Sequence, residues 1–507
     1  MEELRRSMHV RVRFDGRAPR LWHARLVERL ARMPGLRVDV DVRPGGEPWP
    51  ANADLLFRLE SLLNRLPGSK VSAPLPAGAL AALPRAGDDI PDLVLDICGD
   101  VPPAAGGRVW RLSFDGRPGE VGLLAGLLAG DVPVAVLTEG GAVVASGRPG
   151  SEVPGCLPIA FEDILMRTAT LIVAALSTPG ARPAGPVGRA GAPGPHLTMP
   201  RLAVLTGRML VRAIVTRLYR LCFRTPHWRI GWRRLDGPGL IDLRALPPVQ
   251  WHRLADDGRR FYADPFPIVH RGETWLFVED FVHAVGKGVV SALRFGPDGP
   301  VGRPEPVLEE PHHLSYPFLF EREGAVWMIP ESGGAGTIDL YRARNFPGGW
   351  EKVTTLVSGI VASDATLVEE GGRWWMFVTV RDGPPAAPLG SGSYSDALHL
   401  WSAPDFRGPW TPHPRNPVLI DIASARPAGA IVRRGGALIR PVQDCTRGYG
   451  HGLALARIDR LDEEDYAQTV ETVFMPGPAW PGTRLHTLNS AGGLEFIDGS
   501  ARARRLG

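Results

Sequence analysis

The segment DPFPIVHRGETWLFVED, residues 264–280, decides the fold of the C-terminal half. It has two apolar and aromatic runs on either side of an Arg-Gly-Glu turn, which is the pattern of a β-hairpin. Four later segments repeat it: YPFLFEREGAVWMIPES at 316–332, DATLVEEGGRWWMFVTV at 364–380, RPAGAIVRRGGALIRPVQD at 426–444 and NSAGGLEFIDG at 489–499. A hairpin repeated about every 50 to 60 residues is typical of a β-propeller, in which each repeat forms one blade. We therefore predict an all-β five-bladed propeller over residues 245–499, whose closing blade takes a strand from residues 251–261.

The opening residues of these hairpins converge if the first strand of each blade lines the propeller axis. Those residues are Asp264, Tyr316, Asp364, Arg426 and Asn489. The first and last residues of a hairpin lie opposite one another at its open end. We therefore expect Glu279 to face Asp264 and Glu331 to face Tyr316, with both glutamates just behind the axial ring.

Several carboxylates around one pocket, with an arginine among them, push the pKa values of the carboxyl groups apart. General acid, base and nucleophile roles require that separation. His313 and His486 come shortly before axial strands, and Asp444 ends the fourth hairpin, so we predict that these three contact a sugar ligand. The alternative for Asp264 is turn chemistry alone, because Asp before Pro is common in turns.

The N-terminal part, residues 8–176, alternates strand-like and helix-like runs, which predicts an α/β, Rossmann-like domain with a parallel or mixed sheet. We expect strands at 9–14 and 92–97 and helices at 22–33, 54–66 and 122–128. Residues 177–200 contain STPGARPAGPVGRAGAPGP, a Pro/Gly-rich sequence that predicts a linker.

A basic amphipathic helix is predicted within residues 201–235. Its core, 201–224, contains six arginines and no acidic residue, and its apolar residues fall on one helical face. Such a helix can lie on an anionic membrane surface. The alternative is a linker helix that packs its apolar stripe on a neighbouring domain.

Composition excludes several functional classes. Of the 58 basic residues only three are lysines, the net charge is +4, and no basic and aromatic motif is interleaved, so we predict no nucleic-acid partner. The four cysteines are scattered without zinc spacing, and we expect neither a metal nor a cofactor. The N-terminus lacks the pattern of a secretory signal, and no run of 18 apolar residues occurs. We therefore expect a cytoplasmic protein, peripheral to the inner face of the membrane if residues 201–224 bind lipid.

The C-terminal half resembles the propeller domain at the N-terminus of the glucosamine inositolphosphorylceramide transferases. The shared motifs occur in order over residues 245–499: ADPFPIVHRGETWLFVED, LSYPFLFEREGAVWMIPES, HPRNPV, RPAG and RPVQDC. That domain is similar to five-bladed arabinanases, invertases and levansucrases. In those enzymes an Asp at the start of the first blade is the base or nucleophile. Asp264 is at the matching position of this sequence. An acidic residue of a later blade is the acid, for which Glu331 and Asp364 are the candidates here.

The N-terminal domain resembles the Rossmann-like formyltransferase fold over residues 8–175. The stretch RLSFDGRPGEVGLLAGLLAGDVPVAVL, residues 111–137, is similar to the segment that follows the family's catalytic His, with Arg111 near the position of that His. The resemblance implies a formyltransferase-like domain.

These observations predict a carbohydrate-active protein whose working domain is the propeller. The reaction is glycosyl transfer or hydrolysis on a glycan, a sugar phosphate, a nucleotide-sugar or a glycolipid precursor, and Arg426 holds an anionic group of the substrate. One alternative is a non-catalytic glycan-binding module that docks a partner enzyme. Another is a formyltransferase that acts on an amino-sugar nucleotide.

Overall fold

The computed structural model describes residues 7–66, 72–102, 107–178, 197–383, 392–478, 480 and 482–505. Residues 179–196 of the predicted linker at 177–200 lie outside these ranges. The chain forms two compact units, one of residues 1–214 with 388–393 and the other of residues 215–387 with 394–507.

The first unit is built on one mixed sheet. Its strands are β1 (Met8–Asp15), β2 (Leu36–Arg43), β3 (Leu93–Asp96), β4 (Arg108–Phe114), β5 (Arg117–Pro118), β6 (Ala135–Glu139) and β7 (Ala142–Gly147). Its helices are α1 (Leu21–Ala31), α2 (Ala53–Leu63), α3 (Ala77–Ala81), α4 (Gly119–Ala129) and α5 (Leu157–Ser177).

The order of the main strands is β2-β1-β3-β4-β6-β7. The first four run parallel, whereas β6 and β7 are antiparallel additions at one edge. Strand β1 forms because its apolar residues alternate: Val10, Val12 and Phe14 are fully buried. The α/β class and the five elements that we expected here are confirmed.

Helix α6 (Met199–Cys222) follows, and after it the chain becomes extended. The predicted helical segment 201–235 is therefore wrong beyond Cys222, because WRIGWRR at 228–234 forms a strand. In that strand Trp228, Ile230 and Trp232 alternate into the core, which is the two-residue period of a strand. Within the described ranges no helix combines the length and apolar character needed to cross a membrane.

In its described residues, the second unit consists of strands, the end of α6, one short helix, α7 (Leu240–Leu243), and a 3₁₀ turn at Gly333–Ala335. The strands before and in the first two blades are β8 (Phe223–Arg224), β9 (Trp228–Arg234), β10 (His252–Arg253), β11 (Arg260–His270), β12 (Glu273–Val282), β13 (Lys287–Gly296), β14 (Gly299–Leu308), β15 (Ser315–Arg322), β16 (Ala325–Glu331), β17 (Thr337–Asn345) and β18 (Gly348–Ser358). The later strands are β19 (Val361–Glu370), β20 (Arg373–Arg381), β21 (Ala397–Ala403), β22 (Thr411–Pro412), β23 (Leu419–Ile420), β24 (Val432–Arg434), β25 (Ala437–Asp444), β26 (Gly452–Leu461), β27 (Tyr466–Phe474), β28 (Thr487–Ala491), β29 (Leu494–Ser500) and β30 (Ala503–Arg504).

These strands form a five-bladed β-propeller, as predicted. Blades one, two and four are the four-stranded sheets β11–β14, β15–β18 and β24–β27, and blade three has five strands because β22 and β23 both pair with β21. Blade five has the order β10-β9-β29-β28, so strands from before the first blade complete the last one. The expected closing strand is β10, but the main one is β9, and the propeller therefore begins before residue 245.

The propeller core lies between neighbouring blades. Trp327 of blade two and Trp374 of blade three both pack against Phe406. Both are buried, in agreement with the aromatic second strands of the repeats. The blades are therefore held together by stacked apolar faces that no single hairpin could bury.

Candidate functional site at the propeller axis

A β-bulge recurs at the axial end of the first strand in blades one, two and three. The residues paired across the hairpins are Ala263 with Glu279, Ser315 with Glu331 and Ser363 with Thr379, and regular pairing resumes only at Phe266, Phe318 and Thr366. The predicted facing pairs of Asp264 with Glu279 and of Tyr316 with Glu331 are therefore wrong by one residue. An extra residue in a bulge leaves the ladder and turns its side chain elsewhere.

The bulged residues share an unusual backbone conformation. Asp264, Tyr316 and Asp364 have φ values of 50°, 41° and 60°. Residues other than glycine rarely occupy this left-handed region, and when they do they cluster at functional sites. Because three blades share this conformation at the same position, it is a regular feature of the axial ring.

Hydrogen bonds between first strands close this ring. Tyr316 N donates to Asp264 Oδ2 (3.1 Å), and Gly429 N donates to the Tyr316 hydroxyl (2.8 Å). The amide of Asn489 donates from Nδ2 to the Pro265 carbonyl (2.9 Å), while its Oδ1 accepts from Ala430 N (2.8 Å). The structure thus brings the five opening residues of the repeats together at the axis, with Tyr316 and Asn489 bonded between blades.

Asp264 is buried among hydrogen-bond donors. Its Oδ1 accepts from Thr487 Oγ1 (3.0 Å) and lies 3.4 Å from His486 Nε2. Burial raises the pKa of Asp264 to about 6, with the positive charge of His486 acting in the opposite direction. The carboxyl group therefore changes charge near neutral pH.

His486 joins Asp264 to a second buried carboxylate. Its Nδ1 lies 2.5 Å from Asp498 Oδ1, and Asp498 Oδ2 accepts from the backbone N of Asp264 (2.7 Å). Burial opposes the charged imidazole, yet Asp498 and Asp264 together raise the pKa of His486 above its usual value. The result is a buried carboxylate–imidazole–carboxylate chain.

Asp364 is held by Arg426. The guanidinium donates from Nε to Asp364 Oδ2 (2.6 Å) and from Nη2 to Oδ1 (3.3 Å), and both side chains are buried. Gln443 Nε2 adds a third bond to Oδ2 (3.0 Å), and the Arg426 guanidinium also lies over the Tyr449 ring. Both oxygens of Asp364 are therefore occupied by hydrogen bonds from neighbouring side chains.

Glu331 and Glu279 flank the ring. Glu331 Oε2 accepts from Asp364 N (3.2 Å) and lies 3.6 Å from Arg426 Nη2, and its side chain remains 18% exposed. Burial, reinforced by the negative charge of Asp364, raises the pKa of Glu331 well above its usual value. Burial and the charge of Asp264 do the same to the pKa of Glu279, whose Oε1 lies 3.4 Å from His313 Nε2.

The two remaining predicted site residues, His313 and Asp444, lie apart from the axial ring. His313 accepts from Gly288 N through Nδ1 (2.8 Å) and its side chain is 39% exposed, so it faces Glu279 from the more open side of the cluster. Asp444 Oδ1 accepts from both the backbone N (2.9 Å) and the hydroxyl (2.6 Å) of Thr446. Asp444 therefore stabilises its own turn.

Four residues of the cluster were outside the predicted set. They are Asp498, Thr487, Gln443 and Tyr449. The sequence signal for Asp498 was the fifth repeat, because this residue is at the far end of that hairpin, at the position that Glu279 and Glu331 have in the first two hairpins.

Asp264, His486 and Asp498 also offer three ligand atoms within 4.8 Å of one another, but both ring nitrogens of His486 already face the two carboxylates. A cation there would have to displace these contacts.

In the first unit, Asp96, Cys98 and Asp100 form a second group of this kind. Cys98 Sγ donates to Asp100 Oδ1 (3.2 Å), and burial raises the pKa of the thiol, so the sulfur is protonated and a poor ligand. Arg111, which stands where the resemblance puts a catalytic His, lies 3.8 Å from Asp96. The formyltransferase-like character of this unit stays a prediction.

Comparison with known proteins finds relatives of the propeller part of the chain. Residues 252–494 match the family described as glucosamine inositolphosphorylceramide transferase 1, N-terminal. Proteins named glucosamine inositolphosphorylceramide transferase 1 are 31% identical to the chain over 254 residues in Oryza sativa subsp. japonica and over 252 residues in Arabidopsis thaliana. These alignments cover 47% of this chain and 33% and 32% of the relatives, so the chain spans about a third of the length of the curated relatives it matches.

Two solved structures are also similar. The family 117 glycoside hydrolase Zg3597 of Zobellia galactanivorans is 13% identical with a TM-score of 0.35, over 54% of this chain and 90% of that chain. A GH43_1 enzyme from Xanthomonas citri is 12% identical with a TM-score of 0.34, over 48% of this chain and 88% of that chain. On the sequence matches, residues 252–494 are similar to the N-terminal domain of the glucosamine inositolphosphorylceramide transferase 1 proteins.

Proposed function

We propose that the propeller is a carbohydrate-active domain that transfers or hydrolyses a glycosyl group at its axis. The observation that carries the proposal is the split among the axial carboxyl groups. Asp264 has a pKa of about 6 and is mostly ionised at neutral pH, whereas the pKa of Glu331 is held well above its usual value. One carboxylate and one carboxylic acid in the same axial cluster are the two groups that glycosyl chemistry uses.

Asp264 is the base or nucleophile in this proposal. Its bonds from Thr487 and Tyr316 N fix the carboxylate, so little reorganisation precedes the reaction. As a base, Asp264 takes the proton of an attacking hydroxyl, or of water in hydrolysis, and the positive charge of His486 favours the ionised form of Asp264 before that step.

Glu331 is the acid. It is favoured over Asp364 because both oxygens of Asp364 are occupied by hydrogen bonds from Arg426, whereas Glu331 Oε2 lies 3.6 Å from that guanidinium. Glu331 keeps a partly exposed side chain and can reach the oxygen of a leaving group. Arg426 can bind an anionic substrate group only in competition with Asp364 and Glu331.

The substrate is a glycan, a nucleotide-linked or phosphorylated sugar, or a glycolipid precursor. The relatives are named glucosamine inositolphosphorylceramide transferases, which supports a glycosylated inositol phospholipid within this class. The His313 imidazole and the Tyr449 ring, both near the partly exposed rim of the cluster, suit the polar edge and apolar face of a sugar ring.

The test is turnover on a panel of nucleotide-linked and phosphorylated sugars with inositol phospholipid as acceptor. We expect Asp264→Asn to remove nearly all activity while the protein stays folded, because Asn adopts positive φ readily and keeps the shape. The dependence of kcat/KM on pH should be bell-shaped, falling below about pH 6 as Asp264 is protonated and falling again at higher pH as Glu331 ionises.

The matched control is Asp339→Asn, which changes an equally buried aspartate bonded to Thr337 and Thr355 in the outer strands of blade two. It should leave kcat/KM unchanged. Full activity of Asp264→Asn would overturn the catalytic assignment. Glycan binding without turnover in the unmodified protein would favour the non-catalytic glycan-binding module.

A further inference from the structure

Helix α6 (Met199–Cys222) exposes most of its large apolar side chains. These are Met199, Val204, Leu210, Val211, Ile214, Val215, Leu218 and Leu221, with exposed fractions from 47% for Leu210 to 69% for Leu221. Leu202, near the start of the helix, is the buried residue on it. Burial of exposed apolar surface is the main driving force for association. An exposed apolar face made of eight large side chains is therefore typical of an interaction surface.

The exposed residues form one face. At 100° per residue, those from Val204 to Leu221 fall within an arc of about 140°. The helix has 24 residues and is about 36 Å long, so the face is a long, narrow stripe. The side chains that form this stripe are exposed among the described residues.

The charges identify the partner. The helix carries five exposed arginines, Arg201, Arg208, Arg212, Arg217 and Arg220, and no Asp or Glu. On the helical wheel Arg208 and Arg217 flank the apolar arc on its two sides. A second copy of this helix would bring like charges together, whereas an anionic lipid surface accepts both the apolar stripe and the flanking guanidinium groups.

We propose that α6 lies in the surface of an anionic lipid bilayer, with its apolar stripe among the acyl chains and its arginines at the headgroup phosphates. Hydrogen bonds hold the chain before, within and after the helix. Near its start Asn52 donates to the Leu197 carbonyl (2.6 Å), and Arg212 donates to the Gly155 carbonyl (3.1 Å). After its end, Phe223–Arg224 pairs with Ala503–Arg504.

The experiment is co-sedimentation of the full chain with phosphatidylcholine vesicles made with or without phosphatidylglycerol. We expect binding only to the anionic vesicles, and loss of binding as NaCl is raised from low to physiological concentration. Each arginine near the surface contributes about a fivefold factor in affinity, so Arg208→Gln/Arg217→Gln should weaken binding by about 25-fold. Val211→Asp/Leu218→Asp should abolish binding.

The matched control is Ile90→Asp/Val285→Asp, which places two charges at apolar residues that are 83% and 67% exposed outside the helix. It should bind like the unmodified protein. Circular dichroism checks that the helix variants keep their helix content. Equal binding to neutral vesicles, equal loss in the control, or a dimer in solution that Val211→Asp/Leu218→Asp separates without any vesicle binding would each overturn the proposal.

Discussion

At the scale of single residues, the axial cluster contains two buried aspartates with different hydrogen-bond partners. Asp364 is neutralised by a two-bond contact with Arg426, whereas Asp264 keeps only hydroxyl, amide and imidazole neighbours. The same residue type in the same repeat position thus has two different environments.

The Asp364–Arg426 pair makes a residue-scale prediction. Arg426→Ala should lower the free energy of unfolding by about 3–5 kcal/mol, because it leaves a buried carboxylate without its counter-ion. Chemical denaturation measures this. The double variant Asp364→Asn/Arg426→Gln should recover part of the loss.

An exposed pair gives the matched control. Arg344 and Glu351 lie 2.7 Å apart with side chains that are 64% and 55% exposed, so Arg344→Ala should change stability by less than about 1 kcal/mol. Equal effects of the two Arg→Ala substitutions would contradict the view that Arg426 compensates a buried charge.

At the scale of the elements, the repeated bulge directs side chains of the first strands toward the neighbouring blades. In a regular ladder Asp264 and Glu279 would be cross-strand neighbours, whereas the bulge removes Asp264 from the pairing and allows it to accept from Tyr316 N in the next blade. Blade four reaches the same tyrosine through Gly429, which has a φ of 140° and whose N donates to the Tyr316 hydroxyl. A Cβ at this glycine would overlap the Leu488 carbonyl.

Gly429→Ala therefore tests the close approach of blades four and five. We expect a loss of at least about 2 kcal/mol, because the substitution adds both a steric overlap and a backbone conformation that suits glycine alone. Thermal unfolding measures the loss. Gly477→Ala is the control, since nothing lies within 4 Å of its added Cβ. A Gly429→Ala protein as stable as Gly477→Ala would show that the blades can move apart without cost.

At the scale of the whole molecule, strands from both sides of the blade series complete the propeller. β9 pairs with β29 from Leu494↔Arg234 to Ser500↔Trp228, which covers an edge that would otherwise be open. Trp228, Ile230 and Trp232 are buried in this blade. The boundary of the propeller is therefore set by this pairing and not by the first hairpin repeat.

Two fragments test this boundary. Residues 223–507 should give a soluble protein with a cooperative thermal transition, because they contain β9 and the β8–β30 pair. Residues 245–499 should aggregate or unfold without cooperativity, because β29 becomes a bare edge strand. A cooperative transition of 245–499 at the same temperature as 223–507 would contradict an essential role for β9.

The sequence by itself determined the features that depend on local rules. The repeat spacing predicted five blades, the hairpin pattern predicted that Asp264, Tyr316, Asp364, Arg426 and Asn489 meet at the axis, and the helical period predicted the stripe on α6. Alternation of side chains and the period of a helix are properties of consecutive residues, so they can be taken directly from the sequence.

Only the tertiary structure decided which groups contact one another. Asp364 and Arg426 are 62 residues apart, and β9 is 262 residues from its contact at Glu495, so neither pairing leaves a local pattern. The one-residue shift at the bulges likewise arises when neighbouring blades close around the axis. The sequence could not decide whether the α6 stripe is exposed, for the same reason. An apolar helix face has the same period whether a protein or a lipid covers it. Its burial depends on which residues the folded chain places beside it.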